Sequence, residues 1–165
     1  MTGSTAFETR ASCRADFLTC LDACTDNADA RACLQVSILL EQTDNDDLKL
    51  AARYGHAVAC AGGQRSGCTN RGGGIRNVRV DGDRLSQLSL DEKASCLFDP
   101  FTLPCKDGDA WGCAMLGQAY HQGERTAENT TRAATLYTQT CTMVAGPEVS
   151  SCAFATRRLD QIGQN

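Results

Sequence analysis

Aromatic residues, histidines and prolines are scarce in this 165-residue sequence. Aromatic residues make up 5% of the chain, against 42% for all hydrophobic residues. A core therefore has to rest on Leu, Ala, Val, Ile and Cys, a composition that suits closely packed helices and is sufficient for a globular domain of this length. The sequence contains no apolar run near the roughly 20 residues that a membrane-spanning helix requires.

Concentrated positive charge is also missing. The formal net charge is -4, and the 16 basic residues are scattered, with no run longer than Arg157-Arg158. Because a nucleic-acid-binding surface needs a local basic field, the sequence predicts no nucleic-acid partner.

The motifs of metal sites and common enzymes are absent. No C-x-x-C pair occurs, and the two histidines, His56 and His121, lie far apart in the sequence, so neither a metal site nor a cofactor is expected. No G-x-S-x-G or S-x-x-K motif is present. We expect His56 at the surface or partly buried on a helix, and His121 in a solvated turn. The sequence predicts a protein that is not an enzyme.

Glycine and proline mark two segments as irregular. Gly72-Gly73-Gly74 lacks the flanking pattern of a phosphate-binding loop and predicts a flexible turn or a shortened helix. Pro100 and Pro104 are expected to interrupt the chain before Cys105, because proline is unfavourable inside a helix.

Eleven cysteines are the strongest feature of the composition. A chain of this size with so many cysteines and no metal-binding pattern predicts disulfides and an oxidising compartment, hence a periplasmic or secreted protein. The first residues, Met1–Thr5, are polar and do not resemble a signal peptide. We therefore expect the sequence to be numbered as the mature protein. A lipid anchor signal removed earlier would leave no trace.

The cysteine spacing contains a repeat. Pairs of closely spaced cysteines are separated by gaps about three times as long as the spacing within a pair. Pair and gap together give a repeat period of about 36 residues. After the second cysteine of a pair, a small residue tends to follow at the fourth position and a large apolar residue three positions later, as Gly117 and Tyr120 do after Cys113. These positions share one helical face. The acidic segment Asp44–Asp47 predicts a helix start, so each unit is predicted to contain helix A, a turn, helix B and a short loop.

The segment from Cys105 through Trp111 and Cys113 to Gly123, continuing through Ala133 and Tyr137 to Cys141, resembles the Sel-one-like repeat family, a relative of the tetratricopeptide repeats, in particular its cysteine-rich exported bacterial members. The match is specific over residues 105–152, weaker over 20–75, and poorest over 76–104.

The resemblance implies an all-α solenoid of three to four helix-turn-helix repeats in one domain, 1–165. The units implied are an N-terminal helix at 8–24, repeats at 25–60, 61–104 (divergent) and 105–141, and a capping helix at 142–165. In that family a cysteine at the end of helix B pairs with one at the start of the next helix A. The disulfides so implied are Cys24–Cys33, Cys60–Cys68, Cys105–Cys113 and Cys141–Cys152.

Three cysteines, Cys13, Cys20 and Cys96, remain unassigned by this scheme. Cys96 follows Cys68 by the same long gap that separates Cys113 from Cys141. It could therefore compete with Cys105 for Cys113, although the spacer before Cys113 favours Cys105. Cys20 is expected to be a buried free thiol, and Cys13 could form an intermolecular bridge.

Repeat stacks present a concave surface suited to a protein or peptide. By analogy with the family, we expect a protein-binding module, with immunity against a secreted toxin as one role. The alternatives are a β-lactam-binding or hydrolysing enzyme and an envelope-assembly factor. Trp111 could either anchor a partner or pack beneath the next repeat. The residues expected to contact a partner are Val36, Leu40, Trp111, Leu116, Tyr120 and Leu159.

Overall fold

The computed structural model describes residue 7 and residues 9–77, 99–124 and 126–163, which form helices and connecting turns without any strand. The predicted all-α class is confirmed for this part of the chain. The helices are α1 Arg10–Ala15, α2 Phe17–Thr25, α3 Ala30–Leu40, α4 Asp46–Ala61, α5 Arg65–Asn77, α6 Asp99–Lys106, α7 Ala110–His121, α8 Thr130–Thr142 and α9 Ser150–Gly163. None of these described helices is both long and apolar enough to cross a membrane.

The chain divides into two compact units, Met1–Gln87 and Leu88–Asn165. Helices α1 to α5 belong to unit 1, and helices α6 to α9 belong to unit 2. Within unit 1, α3 packs against α4, and α4 packs against α5. Within unit 2, α8 packs against both α7 and α9.

Aspartate and asparagine side chains begin the central helices of both units. The Asp29 carboxylate accepts from the amide of Ala32 at 2.9 Å at the start of α3, and the Asn45 side chain accepts from the amide of Leu48 at 3.1 Å at the start of α4. Such caps satisfy amides that have no partner within the helix. In unit 2, Asp109 and Asn129 cap α7 and α8 in the same way. The predicted start near Asp44–Asp47 is confirmed.

Five disulfides hold the described helices. All five join successive helices, and four of them share one geometry: the first cysteine is the last but one residue of its helix, and the second is the third or fourth residue of the next helix. These four are Cys24–Cys33, Cys60–Cys68, Cys105–Cys113 and Cys141–Cys152. They are the pairs that the family resemblance implies.

The fifth disulfide, Cys13–Cys20, corrects two expectations about the N-terminal cysteines. Cys20 is buried but is not a free thiol, and Cys13 is not available for an intermolecular bridge. The chain breaks at Asp16, which ends α1 and caps α2, and this break brings the two Cα atoms to 5.3 Å, within the range that a disulfide requires. Cys96 lies outside the described residues.

The proline and glycine expectations are also corrected. Pro100 and Pro104 both lie within α6. Pro100 occupies the first turn, where no intrahelical donor is needed, and the fully buried Pro104 packs closely against Gly112 of α7. The glycines 72–74 continue helix α5 and do not form a turn.

The two units repeat the same arrangement of residues. The separation along the chain is constant to within one residue for three pairs of equivalent cysteines, and the helix caps Asp29 and Asp109 share it; Cys68 and Cys152 lie a few residues further apart. The equivalent cysteines are Cys24 with Cys105, Cys33 with Cys113, and Cys60 with Cys141. In this register several fully buried positions also correspond. They are Ala52 with Ala133, His56 with Tyr137, and Ala59 with Thr140.

Candidate binding surface

Three of the residues predicted to contact a partner are buried in the cores. Val36 on α3 is 3% exposed, and Leu116 and Tyr120 on α7 are 6% and 7% exposed. They face neighbouring helices of their own unit, because the face that repeats at i, i+4 and i+7 is the face that packs. Their side chains are therefore not available on the surface. Leu40 and Leu159 are partly buried and pack against the same cores.

Trp111 is the predicted residue that reaches the surface. It is the second residue of α7, is 37% exposed, and packs its ring on that of Phe154 of α9, with the ring centroids 5.6 Å apart. The Arg158 guanidinium lies over the Phe154 ring, 5.1 Å from its centroid. Trp111, Phe154 and Arg158 together form what we call the aromatic patch.

The scaffold beneath the aromatic patch is held at several points. The Asp109 carboxylate caps α7 by accepting from the Gly112 amide at 2.6 Å, and the disulfide at Cys113 follows Trp111 by two residues. Phe154 also meets the buried Tyr137 ring at 6.5 Å, edge to face. The patch is therefore fixed in place before any partner binds, which reduces the entropy lost on binding.

An open groove of about 610 Å³ lies between α8 and α9 of the same unit. Among the described residues no charged side chain lines it, and its walls combine threonine, alanine and isoleucine side chains. The lining residues are Thr130, Thr131, Ala134, Thr135, Thr138 and Ile162. In the register that relates the two units, Ala134 corresponds to Arg53, so a small residue stands in the groove where unit 1 has a long one.

Unit 1 contains a buried polar cluster around His56. His56 is 0% exposed, which corrects the expectation of a surface or partly buried residue. Its Nε2 atom lies 3.4 Å from a carboxylate oxygen of Glu41. Arg53, one turn earlier on α4, is 2% exposed, and Ser37 of α3 is buried against Gly55.

Gly74 of α5 makes room for this cluster. A Cβ atom at Gly74 would lie 2.9 Å from the nearest guanidinium nitrogen of Arg53, whereas a Cβ at Gly73 would meet no atom of the described residues within 4 Å. Burial also affects a second arginine, Arg71 of α5. The pKa of Arg71 is lowered by desolvation, against a smaller opposing effect from Tyr54.

His121 is half-buried as the last residue of α7, which corrects its expected place in a solvated turn. Its ring meets that of Tyr137 at 6.2 Å, edge to face. Among the residues that the structure describes, no three His, Cys, Asp or Glu side chains cluster in a way that could hold a metal ion.

Comparison with family models, curated proteins and solved structures found no match. The likeness to Sel-one-like repeats therefore rests on the residues of the sequence itself.

Sequence reasoning missed the partners of Trp111 and the buried state of His56. Phe154 and Arg158 lie two helices further along the chain than Trp111, and no local pattern links them. The burial of His56 had a detectable signal, because the register that aligns the cysteines of the two units also aligns His56 with Tyr137.

Proposed function

We propose that this chain is a protein-binding module that contacts its partner through the aromatic patch of unit 2. The observation that carries the proposal is the partial exposure of Trp111, 37%, on a ring already packed, tilted, against that of Phe154. Tryptophan and arginine are among the side chains that most often dominate binding energy at protein interfaces, and Trp111 and Arg158 both contact the Phe154 ring here.

The five disulfides support a protein that works in an oxidising environment. Together with the resemblance to cysteine-rich exported Sel-one-like repeats, they favour a periplasmic or extracellular site of action. The net charge of -4 favours a partner with a basic surface, such as a secreted toxin that the module neutralises. The patch replaces the concave face as the proposed contact, since Val36, Leu116 and Tyr120 are buried.

The test substitutes Trp111 and compares it with an exposed apolar residue of unit 1. We expect Trp111→Ala to weaken binding of the partner recovered from the native source at least tenfold, about 1.4 kcal/mol. Leu18→Ala, at a side chain 72% exposed, should leave the affinity unchanged. Affinity is measured by titration calorimetry on proteins whose circular dichroism is native.

A third variant separates binding from folding. Trp111→Phe retains a ring on Phe154 while removing the indole, so its stability should match the wild type and its affinity should fall between the other two. Equal affinities for the wild type and Trp111→Ala would contradict the aromatic patch as the interface.

A further inference from the structure

The five disulfides differ in how far their cysteines are exposed to solvent. In Cys13–Cys20 and Cys105–Cys113 both cysteines are buried, with at most 5% of either exposed. In each of the other three, the first cysteine of the pair is half-buried. A thiol exchanges with a disulfide only where it can reach one of the two sulfur atoms. Exposure therefore leaves three disulfides open to exchange, and Cys141–Cys152 is one of them.

The hydroxyl of Thr156 lies beside the Cys141–Cys152 disulfide. Its Oγ1 atom is 3.8 Å from Sγ of Cys141 and 3.9 Å from Sγ of Cys152, within reach of a hydrogen bond to sulfur. Cys152 also lies in the first turn of α9. A hydroxyl donor and a helix N-terminus both stabilise a thiolate, because each presents positive partial charge to it. A thiolate that is stabilised in this way leaves faster in thiol–disulfide exchange.

The position four residues after the second cysteine differs among the four disulfides that share one geometry. In chain order the residue is Ser37, Gly72, Gly117 and Thr156. The two glycines carry no hydroxyl, and the hydroxyl of Ser37 is buried against Gly55 of the neighbouring helix α4. Of these four disulfides, Cys141–Cys152 is therefore the one that combines a half-buried cysteine with an exposed threonine beside both sulfur atoms.

The same disulfide anchors the helix that carries two residues of the aromatic patch. It joins α8 to the first turn of α9, and Phe154 follows Cys152 by two residues. Trp111, on the other side of the ring contact, lies on α7 beside the buried Cys105–Cys113 disulfide. Reduction of Cys141–Cys152 therefore frees the Phe154 side of the contact, while the Trp111 side stays covalently held.

We propose that Cys141–Cys152 is a thiol–disulfide exchange site whose reduction by a dithiol loosens α9 and the aromatic patch. A thiolate of the reductant attacks Sγ of Cys141, the S–S bond breaks, and Cys152 leaves as a thiolate that accepts a hydrogen bond from the Thr156 hydroxyl. The second thiol of the reductant then displaces Cys141 from the mixed disulfide. The protein gains two electrons and two protons, and the reductant becomes a disulfide.

The consequence for binding rests on the proposed function, because a loosened patch weakens the affinity only if the patch contacts the partner. The exchange and the loosening of α9 do not depend on that function. The experiments below therefore use no partner.

The first experiment identifies the disulfide that a dithiol reduces first. Thiols already present in the folded, oxidised full chain are blocked with one alkylating reagent. Limiting dithiothreitol is then added at neutral pH, and new thiols are trapped with a second reagent and located by peptide mapping. We expect Cys141 and Cys152 to be the first pair trapped. Earlier reduction of any other disulfide, or reduction of all five at one rate, would contradict the proposal.

Replacing Thr156 isolates the contribution of its hydroxyl. Thr156→Val keeps the shape of the exposed side chain and removes the donor, so reduction of Cys141–Cys152 should slow by about three- to tenfold. Thr135→Val, at an exposed position of α8, serves as the control and should leave the rate unchanged. Equal rates for Thr156→Val and the wild type would contradict the assistance by the hydroxyl.

Trp111 is the single tryptophan of the chain, so its fluorescence reports on the aromatic patch. Cys141→Ser combined with Cys152→Ser imitates the reduced state. We expect its emission to shift to longer wavelength and its α9 amides to exchange hydrogen about a hundredfold faster, because the constraint of a closed loop is lost. Cys60→Ser combined with Cys68→Ser opens a junction of unit 1 and should leave both readouts unchanged. Wild-type values of both in the first double variant would overturn the proposal.

The two proposals fail separately. If Trp111→Ala leaves the affinity unchanged while the Cys141 and Cys152 double variant shows the shifted emission, the interface is wrong and the exchange site stands. If Trp111→Ala weakens binding while the double variant keeps the wild-type emission and hydrogen exchange, the interface stands and the switch is wrong.

Discussion

At the scale of single residues, the position before the second cysteine carries a small side chain in the four disulfides Cys24–Cys33, Cys60–Cys68, Cys105–Cys113 and Cys141–Cys152. The four residues are Ala32, Gly67, Gly112 and Ser151. A Cβ atom at Gly67 would lie 2.8 Å from the Ala59 Cβ, and one at Gly112 would lie 2.7 Å from the Pro104 Cβ. A small residue at this position lets the helices approach closely enough for the disulfide to form.

Two glycine substitutions test this requirement. Gly112→Ala should destabilise the protein by about 1–3 kcal/mol, because the new methyl group meets Pro104 and the backbone of Cys105. Gly73→Ala should stabilise it by about 1 kcal/mol, because that helical position has no atom within 4 Å of an added Cβ. Urea unfolding with the disulfides intact measures both, and equal effects would contradict the packing argument.

At the scale of helices, each of these four disulfides closes a short loop between the end of one helix and the first turn of the next. The connections from α3 to α4 and from α7 to α8 have no disulfide, and extensive packing between these helices holds them. Disulfides thus secure the junctions, while side-chain packing secures the hairpins.

Removing one junction disulfide gives a measurable loss. Cys60→Ala combined with Cys68→Ala opens a loop whose ends are eight residues apart, which should lower the free energy of unfolding by about 2.5 kcal/mol in the chain-entropy model. Because Cys60 and Cys68 lie in unit 1, α4 amides should lose hydrogen-exchange protection before α8 amides do. Equal stability of the variant and the wild type would show that packing alone holds this junction.

At the scale of the whole molecule, the cysteine count sets the number of thiols. Five disulfides use ten of the eleven cysteines. Cys96, which lies outside the described residues, then has no partner left within the chain. An odd cysteine in a disulfide-rich protein is either a thiol or a link to another molecule.

Intact mass spectrometry counts this thiol directly. Alkylation of the denatured, unreduced chain should add one group, and alkylation after reduction should add eleven. Peptide mapping should place the single group on Cys96, and Cys96→Ser should remove it. Three or more alkylated cysteines before reduction would contradict the five disulfides.

The local features of the fold were predictable from the sequence. The helix start near Asn45 follows from acidic and amide side chains within one turn. Four of the five disulfides were implied by close cysteine spacing together with the family likeness, since partners so near along the chain are brought together by a single turn. The Cys13–Cys20 disulfide was not predicted, because it depends on the break at Asp16.

The sequence by itself determined the helical class, the ends of several helices and the oxidised state, because these depend on side chains within a few residues of one another. Tertiary structure decided how completely each apolar side chain is covered, and by which helices. Val36 and Trp111 are both apolar, yet one is buried and the other partly exposed. His56 became a core residue because α3 and α5 close over it, and Trp111 joined Phe154 because α7 and α9 meet. Burial is settled by contacts between distant segments, which no local pattern of the sequence records.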